Sequence, residues 1–398
     1  MRHPEIKELY YITHINNVPS ILERGILSHE IMERENIPVT RIYNPEIVAK
    51  RRAIKTPDGR SLWSFANLYF QPRNAMLFRV VFFSEGIGVN DIAVLGVQMS
   101  VLNSPDIFIA TGNAAHSKSE ILPAREGKKR LSKIRATIDK EWWKEEDGSK
   151  RELMAECLVP GIIPPEFIRE IYVASHEVAN KLKMMLPQSN LPIIPELKTF
   201  FQLSWKKDLT PYLSLVKGDM FFSRMQTVTV SVNCVGIMGA GLASRVRYQF
   251  SDVFVIYQDL CRKRILQMGK PYIVKRESSF DRQLADEPET LTNANLETQF
   301  LLFPTKRHWR ERADIIGIEK GLQWLRDNYK KAGVKSLAIP ALGCGLGRLD
   351  WRDVGPLMYK YLSTLHIPVQ IYLPAEREVP DELLSKGFLL GKENQRQE

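Results

Sequence analysis

At 398 residues the chain is too long for one ordinary core, so two domains are expected. Hydrophobic content of 44% with 26% charged residues belongs to a soluble globular protein, and a net charge of +10 with a pI near 9.3 favours a polyanionic partner such as nucleic acid. Cys157, Cys234, Cys261 and Cys344 lack CxxC or zinc-type spacing, which argues against disulfides and against a metal, and for reduced thiols in a cytoplasm. The N-terminal MRHPEIKELYY has no signal-peptide core. The longest apolar run, around Leu77 to Phe83, is broken by Arg79 and too short for a bilayer, so no membrane partner is expected.

From Glu8 to Ser28 the pattern predicts a short strand, a turn at Asn16 and Asn17, and a helix opened by Pro19 and closed by Gly25. Residues 30–44 are polar and irregular and read as a flexible loop. EIVAKRRAIK follows as a helix on which the neighbours Arg51 and Arg52 lie about 100° apart, so one can face a site while the other faces solvent. The aromatic stretch SLWSFANLYFQPRNAM ends in a turn expected to expose Arg73 and Asn74 beside Tyr69 and Phe70. It reads either as a surface that stacks a ring or as aromatic core beside a loop. Strands are expected over 77–83 and 93–99, then a loop TGNAAHSKS with His116. In GKKRLSKIR, the basic Lys128, Lys129, Arg130, Lys133 and Arg135 form either a solvated helix face or a track for a phosphate backbone.

Glu156 interrupts the apolar strand of LMAECLVPGIIPPEF. A carboxylate buried there without a partner costs several kcal/mol, so it is either ion-paired or placed at a cleft. Residues 185–205 carry Pro187, Pro192 and Pro195 without periodicity and read as a linker. Beyond it strands and helices alternate. TVSVNCVGIMGAGLAS is a strand ended by Asn233, after which Gly236, Gly239 and Gly241 either free backbone N–H groups to meet an anion or make a tight strand-to-helix connection with no ligand. Residues 257–266 read as a helix, LETQFLLFPTK as a strand ending at Lys306, and GIEKGLQWLRDNYKKAG as an amphipathic helix. VKSLAIPALGCGLGRLDW is a strand followed by a second glycine loop. This α/β layout implies a mostly parallel sheet with its ligand at the strand ends, and two glycine loops there suit a diphosphate. The tail GKENQRQE is charged and expected to fray.

Three motifs in order, KGD at Lys217 to Asp219, VNCVGIMGAGLA from Val232 and PALGCGLGRLDW from Pro340, make the second domain resemble a macrodomain, the ADP-ribose-binding module. The resemblance implies that Asp219 contacts adenine, that Asn233 lies near the distal ribose, and that Gly239 and Gly241 with Gly343, Gly345 and Gly347 wrap the diphosphate. FPTKRHW, from Phe303, looks like the DarG type, which removes ADP-ribose from DNA bases, and carries over a catalytic lysine as Lys306. That type often has MGKG where this chain has Ala240 between Gly239 and Gly241. The first domain resembles DarT, which transfers ADP-ribose from NAD to a base in single-stranded DNA. The resemblance rests on YITHINNVPSILERGIL, LYFQPRNAML, GNAAHS and AECLVP. It implies Glu156 as the transferase glutamate, Arg51 or Arg52 as a second catalytic residue, and an NAD pocket lined by Thr13, His14, Tyr69, Phe70 and Met76. The family commonly has a histidine where this chain has Tyr11.

The expected organisation is an α+β ADP-ribosyltransferase-like domain (1–185), a linker (186–212), an α/β macrodomain with a mixed, mostly parallel sheet and flanking helices (213–376), and a C-terminal tail (377–398). NAD is expected as substrate, ADP-ribose as ligand of the macrodomain, and single-stranded DNA as partner. Contact between the two domains, the oligomeric state and the choice between thymine and guanine are left open. Two other readings compete: an ADP-ribose-binding or -hydrolysing macrodomain behind an inactive nucleic-acid adaptor, and a transferase acting on protein or RNA.

Overall fold

The computed structural model describes residues 7–43, 45–374 and 377–391. The chain divides into two units, one comprising Met1–Gln202 with Arg282–Asn293, the other Leu203–Asp281 with Ala294–Glu398. It therefore passes from one to the other three times.

In the first unit, an eight-stranded sheet runs in the order Ile193–Pro195, Ile168–Val173, Ile92–Gln98, Glu8–His14, Phe65–Tyr69, Glu156–Pro160, Phe108–Ala110, Ile121–Pro123. All neighbours are antiparallel except the first pair. Ile92–Gln98 is apolar almost throughout because both of its faces are covered. Glu8–His14 and Phe65–Tyr69 share one register pair, Tyr10 with Tyr69, so the sheet is weakly joined at its centre.

Several local expectations give way here. Residues 77–83, expected as a strand, belong to the helix Ala75–Phe83, which Asn74 opens by accepting from Leu77 N at 3.0 Å. A short apolar run has no period that separates strand from helix, and the cap decides. The turn expected to expose Arg73 and Asn74 buries both. Arg73 donates to the carbonyls of Lys198 (3.0 Å) and Glu141 (2.9 Å) and stacks 4.8 Å from the Phe201 ring, partners too distant in sequence to foresee. Within 30–44, the segment expected as loop, the helix His29–Arg34 forms behind its Ser28 cap. The helix expected from EIVAKRRAIK is Pro45–Ala49 followed by a tighter turn at Lys50–Arg52.

The second unit is built on a seven-stranded sheet in the order Trp205–Asp208, Leu213–Lys217, Val369–Tyr372, Leu337–Pro340, Thr227–Asn233, Thr298–Lys306, Tyr272–Arg276. The outer pairs are antiparallel and the inner ones parallel. Thr298–Lys306 shows the strand period of two. Leu301 and Phe303 pack with Ile318, Leu322 and Leu325 of the helix Ile315–Asn328, whereas Phe300 joins Phe250 and Phe280. The helix expected over 257–266 begins earlier, as Ser251–Arg262.

The stretch 186–212 contributes a strand to each sheet, Ile193–Pro195 to the first and Trp205–Asp208 to the second. In the segment 377–398, Leu383, Leu384 and Leu389 join the second core. The rest of the tail, 392–398, lies outside the described residues. The fold is thus an α+β first unit followed by an α/β unit of macrodomain layout.

Candidate active sites

Glu156 opens its strand, opposite Tyr69 on one neighbour and Ala110 on the other, and is fully buried. Three donors hold its carboxylate: Arg51 Nη2 on Oε2 at 2.9 Å, Arg51 Nη1 on Oε1 at 3.3 Å, and the Ala114 N–H on Oε1 at 2.8 Å. A bidentate guanidinium and a backbone donor meet what a buried carboxylate requires. Arg52 points elsewhere, paired with Glu33 and lying 4.3 Å over the Trp63 ring, whose Nε1 donates to Glu33 at 3.0 Å. The two adjacent arginines, left equivalent by the sequence, thus take different roles, and only Arg51 meets Glu156. Burial, then the charge of Glu156, keep the Tyr69 hydroxyl protonated well beyond the usual tyrosine range.

Of the other expected pocket residues, Thr13 Oγ1 accepts from Asn17 Nδ2 at 3.1 Å and His14 Nδ1 accepts from Asn16 N at 3.0 Å. Burial lowers the pKa of His14, and the neutral ring accepting at Nδ1 carries its proton on Nε2. Phe70 N donates to Ala155 O at 3.3 Å, beside Glu156, and Met76 sits half-buried in the first turn of the helix Ala75–Phe83.

In the second unit, Lys306 ends its strand in register with Asn233, just past an irregularity at Val232 and Asn233, so both lie at the carboxyl ends of parallel strands. Lys306 Nζ donates to Leu346 O at 3.3 Å. Burial and the nearby Arg348 lower its pKa, with Glu311 opposing. Asn233 spends its amide on the loop that follows it. Nδ2 donates to Ile237 O at 2.6 Å, and Oδ1 accepts from Val235 N at 3.0 Å and lies 2.9 Å from the Tyr257 hydroxyl.

The loop leads through Gly239 into the helix Gly241–Gln249, whose first N–H groups suit an anion. Gly241 takes φ +59°, and a Cβ on it would lie 3.3 Å from Leu346 of the second loop, so the two glycine loops face each other. Gly343 also has positive φ, whereas Gly347 is packed directly on Gly343. Gly345 accepts at its carbonyl from Arg348 N at 3.0 Å. Asp219 accepts from Phe221 N at 3.1 Å and receives Arg245 Nη1 at 2.9 Å on each oxygen. Arg245 itself stacks 4.3 Å from the Phe221 ring.

Sequence reasoning passed over the Ala114 N–H, Trp63, Glu33, Tyr257, Arg245 and Arg348. Ala114 and Arg348 lie inside quoted motifs, but a backbone donor and a left-handed arginine leave no letter pattern. The others act through partners remote in sequence. Among the described residues no group of three His, Cys, Asp or Glu side chains is placed to hold a metal, and no helix is long and apolar enough to cross a membrane.

Comparison with known proteins connects both units to one family. The family described as "ssDNA thymidine ADP-ribosyltransferase, DarT" matches residues 10–201. A DNA ADP-ribosyl transferase-DNA ADP-ribosyl glycohydrolase fusion protein of Thermosipho africanus (strain H17ap60334) is 56% identical over 387 residues, spanning 97% of this chain and 99% of that one. The chain belongs to this DarTG fusion family. The solved structure of Thermosipho africanus DarTG in complex with ADP-ribose covers 96% of this chain and 100% of its own, with a TM-score of 0.88 at 54% identity. The DNA ADP-ribosyl glycohydrolase of Mycobacterium tuberculosis is 32% identical over 159 residues, 40% of this chain and 41% of that protein. The first unit is accordingly a DNA ADP-ribosyltransferase and the second a DNA ADP-ribosyl glycohydrolase of macrodomain type.

Proposed function

We propose that the first unit transfers ADP-ribose from NAD to thymidine in single-stranded DNA through Glu156 and Arg51, and that the second releases it through Lys306. The observation that carries the first half is the buried Arg51–Glu156 pair with its Ala114 donor beside Tyr69. Support for thymidine comes from the description of the matching family. Cleavage of the nicotinamide–ribose bond leaves positive charge on the ribose as nicotinamide departs. A fixed carboxylate at the ribose stabilises charge there more than it does the ground state, whose positive charge lies on the nicotinamide ring. Arg51 holds Glu156 in place through its two hydrogen bonds, and the acceptor nitrogen of the base attacks the anomeric carbon and gives up its proton to Glu156 or to water. A single strand presents the base already unstacked.

In the second unit the diphosphate lies between Gly239–Gly241 and Gly343–Gly347, with adenine toward Asp219 and the distal ribose toward Asn233 and Lys306. The lowered pKa of Lys306 enlarges its fraction of neutral amine. That amine attacks the anomeric carbon, the base leaves with a proton, and water then frees ADP-ribose and restores the lysine. Joining writer and eraser raises their effective concentration for each other toward the millimolar range, so transfer is rarely unopposed. The four free cysteines suit action in a reducing cytoplasm.

The test is growth of a host cell expressing the full chain. Lys306→Ala is expected to be toxic, and adding Glu156→Ala to restore growth. Equal growth of cells carrying wild type and Lys306→Ala counts against the reading. In vitro, Arg51→Ala should lower transfer to a thymidine oligonucleotide, read by mass, by about a hundredfold or more, because it strands a buried carboxylate. Arg52→Ala should cost less than about tenfold.

A further inference from the structure

Residues 307–312, RHWRER, leave the strand that ends at Lys306 and make a turn pinned on both sides. Cys234 N donates to Arg307 O at 3.0 Å, tying the turn to the first glycine loop. Ala313 N donates to Gly347 O at 2.9 Å, tying it to the second, and Asp314 N closes the base on Thr305 O at 2.8 Å. Within the turn, Glu311 N reaches His308 O at 3.1 Å and His308 N reaches the Glu311 carboxylate at 3.2 Å. A short, braced loop therefore stands beside both glycine loops, immediately after Lys306.

Its side chains face solvent. Arg307 is 71% and Trp309 45% exposed, and Arg310 and Arg312 are exposed as well. Arg310 lies 4.7 Å over the Trp309 ring. Next to them stand the exposed Leu346 and Arg348, both in the loop that holds Lys306 Nζ. Around the turn stand five cations, Lys306, Arg307, Arg310, Arg312 and Arg348, and two carboxylates, Glu311 and Asp314, the latter paired with Arg307 at 3.5 Å. Cations interleaved with an exposed ring are the composition that holds single-stranded nucleic acid, the cations on phosphates and the ring on a base.

We propose that this turn seats the DNA strand that flanks the modified base, with Trp309 stacking a neighbouring base and Arg310 and Arg312 on phosphates. The second unit then recognises the flanking DNA strand as well as the ADP-ribose attached to it. This rests on the reading that Lys306 marks the glycohydrolase centre.

The test compares release of ADP-ribose by the full chain, without NAD, from a short single-stranded oligonucleotide carrying one ADP-ribosylated base and from the ADP-ribosylated nucleoside. Trp309→Ala is expected to raise KM for the oligonucleotide about tenfold with kcat unchanged, to leave the nucleoside kinetics unchanged, and to be largely rescued by Trp309→Phe. Replacing Arg310 and Arg312 with Gln should flatten the slope of log(1/KM) against log salt by about 1.4. Equal losses on both substrates, or no loss on either, overturn the proposal. So does a wild type that treats both substrates alike. A wild type that releases ADP-ribose from neither removes instead the reading of Lys306 on which the proposal rests.

Discussion

Two adjacent arginines end up in different chemistry because a tight turn sends them to different sides. Arg51 is drawn to a buried carboxylate, and Arg52 joins Glu33 and Trp63 at the surface. The Arg52 cluster also holds His29, stacked on Trp63 with ring centroids 4.4 Å apart and met edge-on by Tyr43. Burial, then the charge of Arg51, with Arg52 and Arg41 adding and Glu33 opposing, push the pKa of His29 from 6.5 down to about 4. The folded state therefore binds fewer protons than the unfolded one. The contribution of His29 is complete above pH 6.5 and is lost as pH falls from there toward 4. The melting temperature of the first unit should fall across that window, and His29→Phe, which keeps the stack, should flatten the fall in a calorimetric pH series.

Glycine loops show at the level of the element which letters are replaceable. A Cβ on Gly347 would lie 2.5 Å from the carbonyl oxygen of Gly343 and 2.7 Å from its Cα, both backbone atoms that cannot swing aside. On Gly239 it would meet only Ile237 Cγ2, at 3.9 Å. Gly347→Ala is therefore expected to weaken ADP-ribose binding by about tenfold or more in titration calorimetry, and Gly239→Ala to cost less than about threefold, with unchanged circular dichroism in both. The helix Ala75–Phe83 teaches the complementary lesson. Its composition suits a strand, and Asn74 with burial of five of its nine residues makes it a helix.

At the scale of the whole molecule, the first unit is completed by residues 282–293, which the chain reaches only after most of its second sheet has been entered. Trp143, fully buried, donates from Nε1 to Leu284 O at 2.9 Å. Asp286 N donates to Ala75 O at 3.1 Å, and Arg79 to Thr290 Oγ1 at 3.1 Å. A chain ending at residue 202 lacks this segment. Losing a buried hydrogen bond and the cover of Leu284 and Ala285 amounts to about 3 kcal/mol. That is a fall of about 6–12 °C for a unit of this size. The fragment should melt lower than the first unit of the intact chain, with tryptophan emission shifted to the red. Fusing 282–293 back through a short linker should reverse both, and an unchanged melting temperature would show the segment to be energetically idle.

Local chemistry carried much of this into the sequence. Alternating valines followed by Asn233 and three glycines specify a strand, a turn and a helix start within a few residues, and Glu156 among apolar neighbours announces a carboxylate that must have partners. Both signals depend on contacts between residues close in the chain, or on a rule about burial that holds wherever the partner sits. Which arginine answers Glu156, that Arg73 is buried under Phe201, that Arg245 grips Asp219, and that residues 282–293 serve the first unit were decided by tertiary structure. Each is a pairing across tens to hundreds of residues, and long-range pairing is settled by packing and charge balance in the folded chain, where no local period or propensity records it.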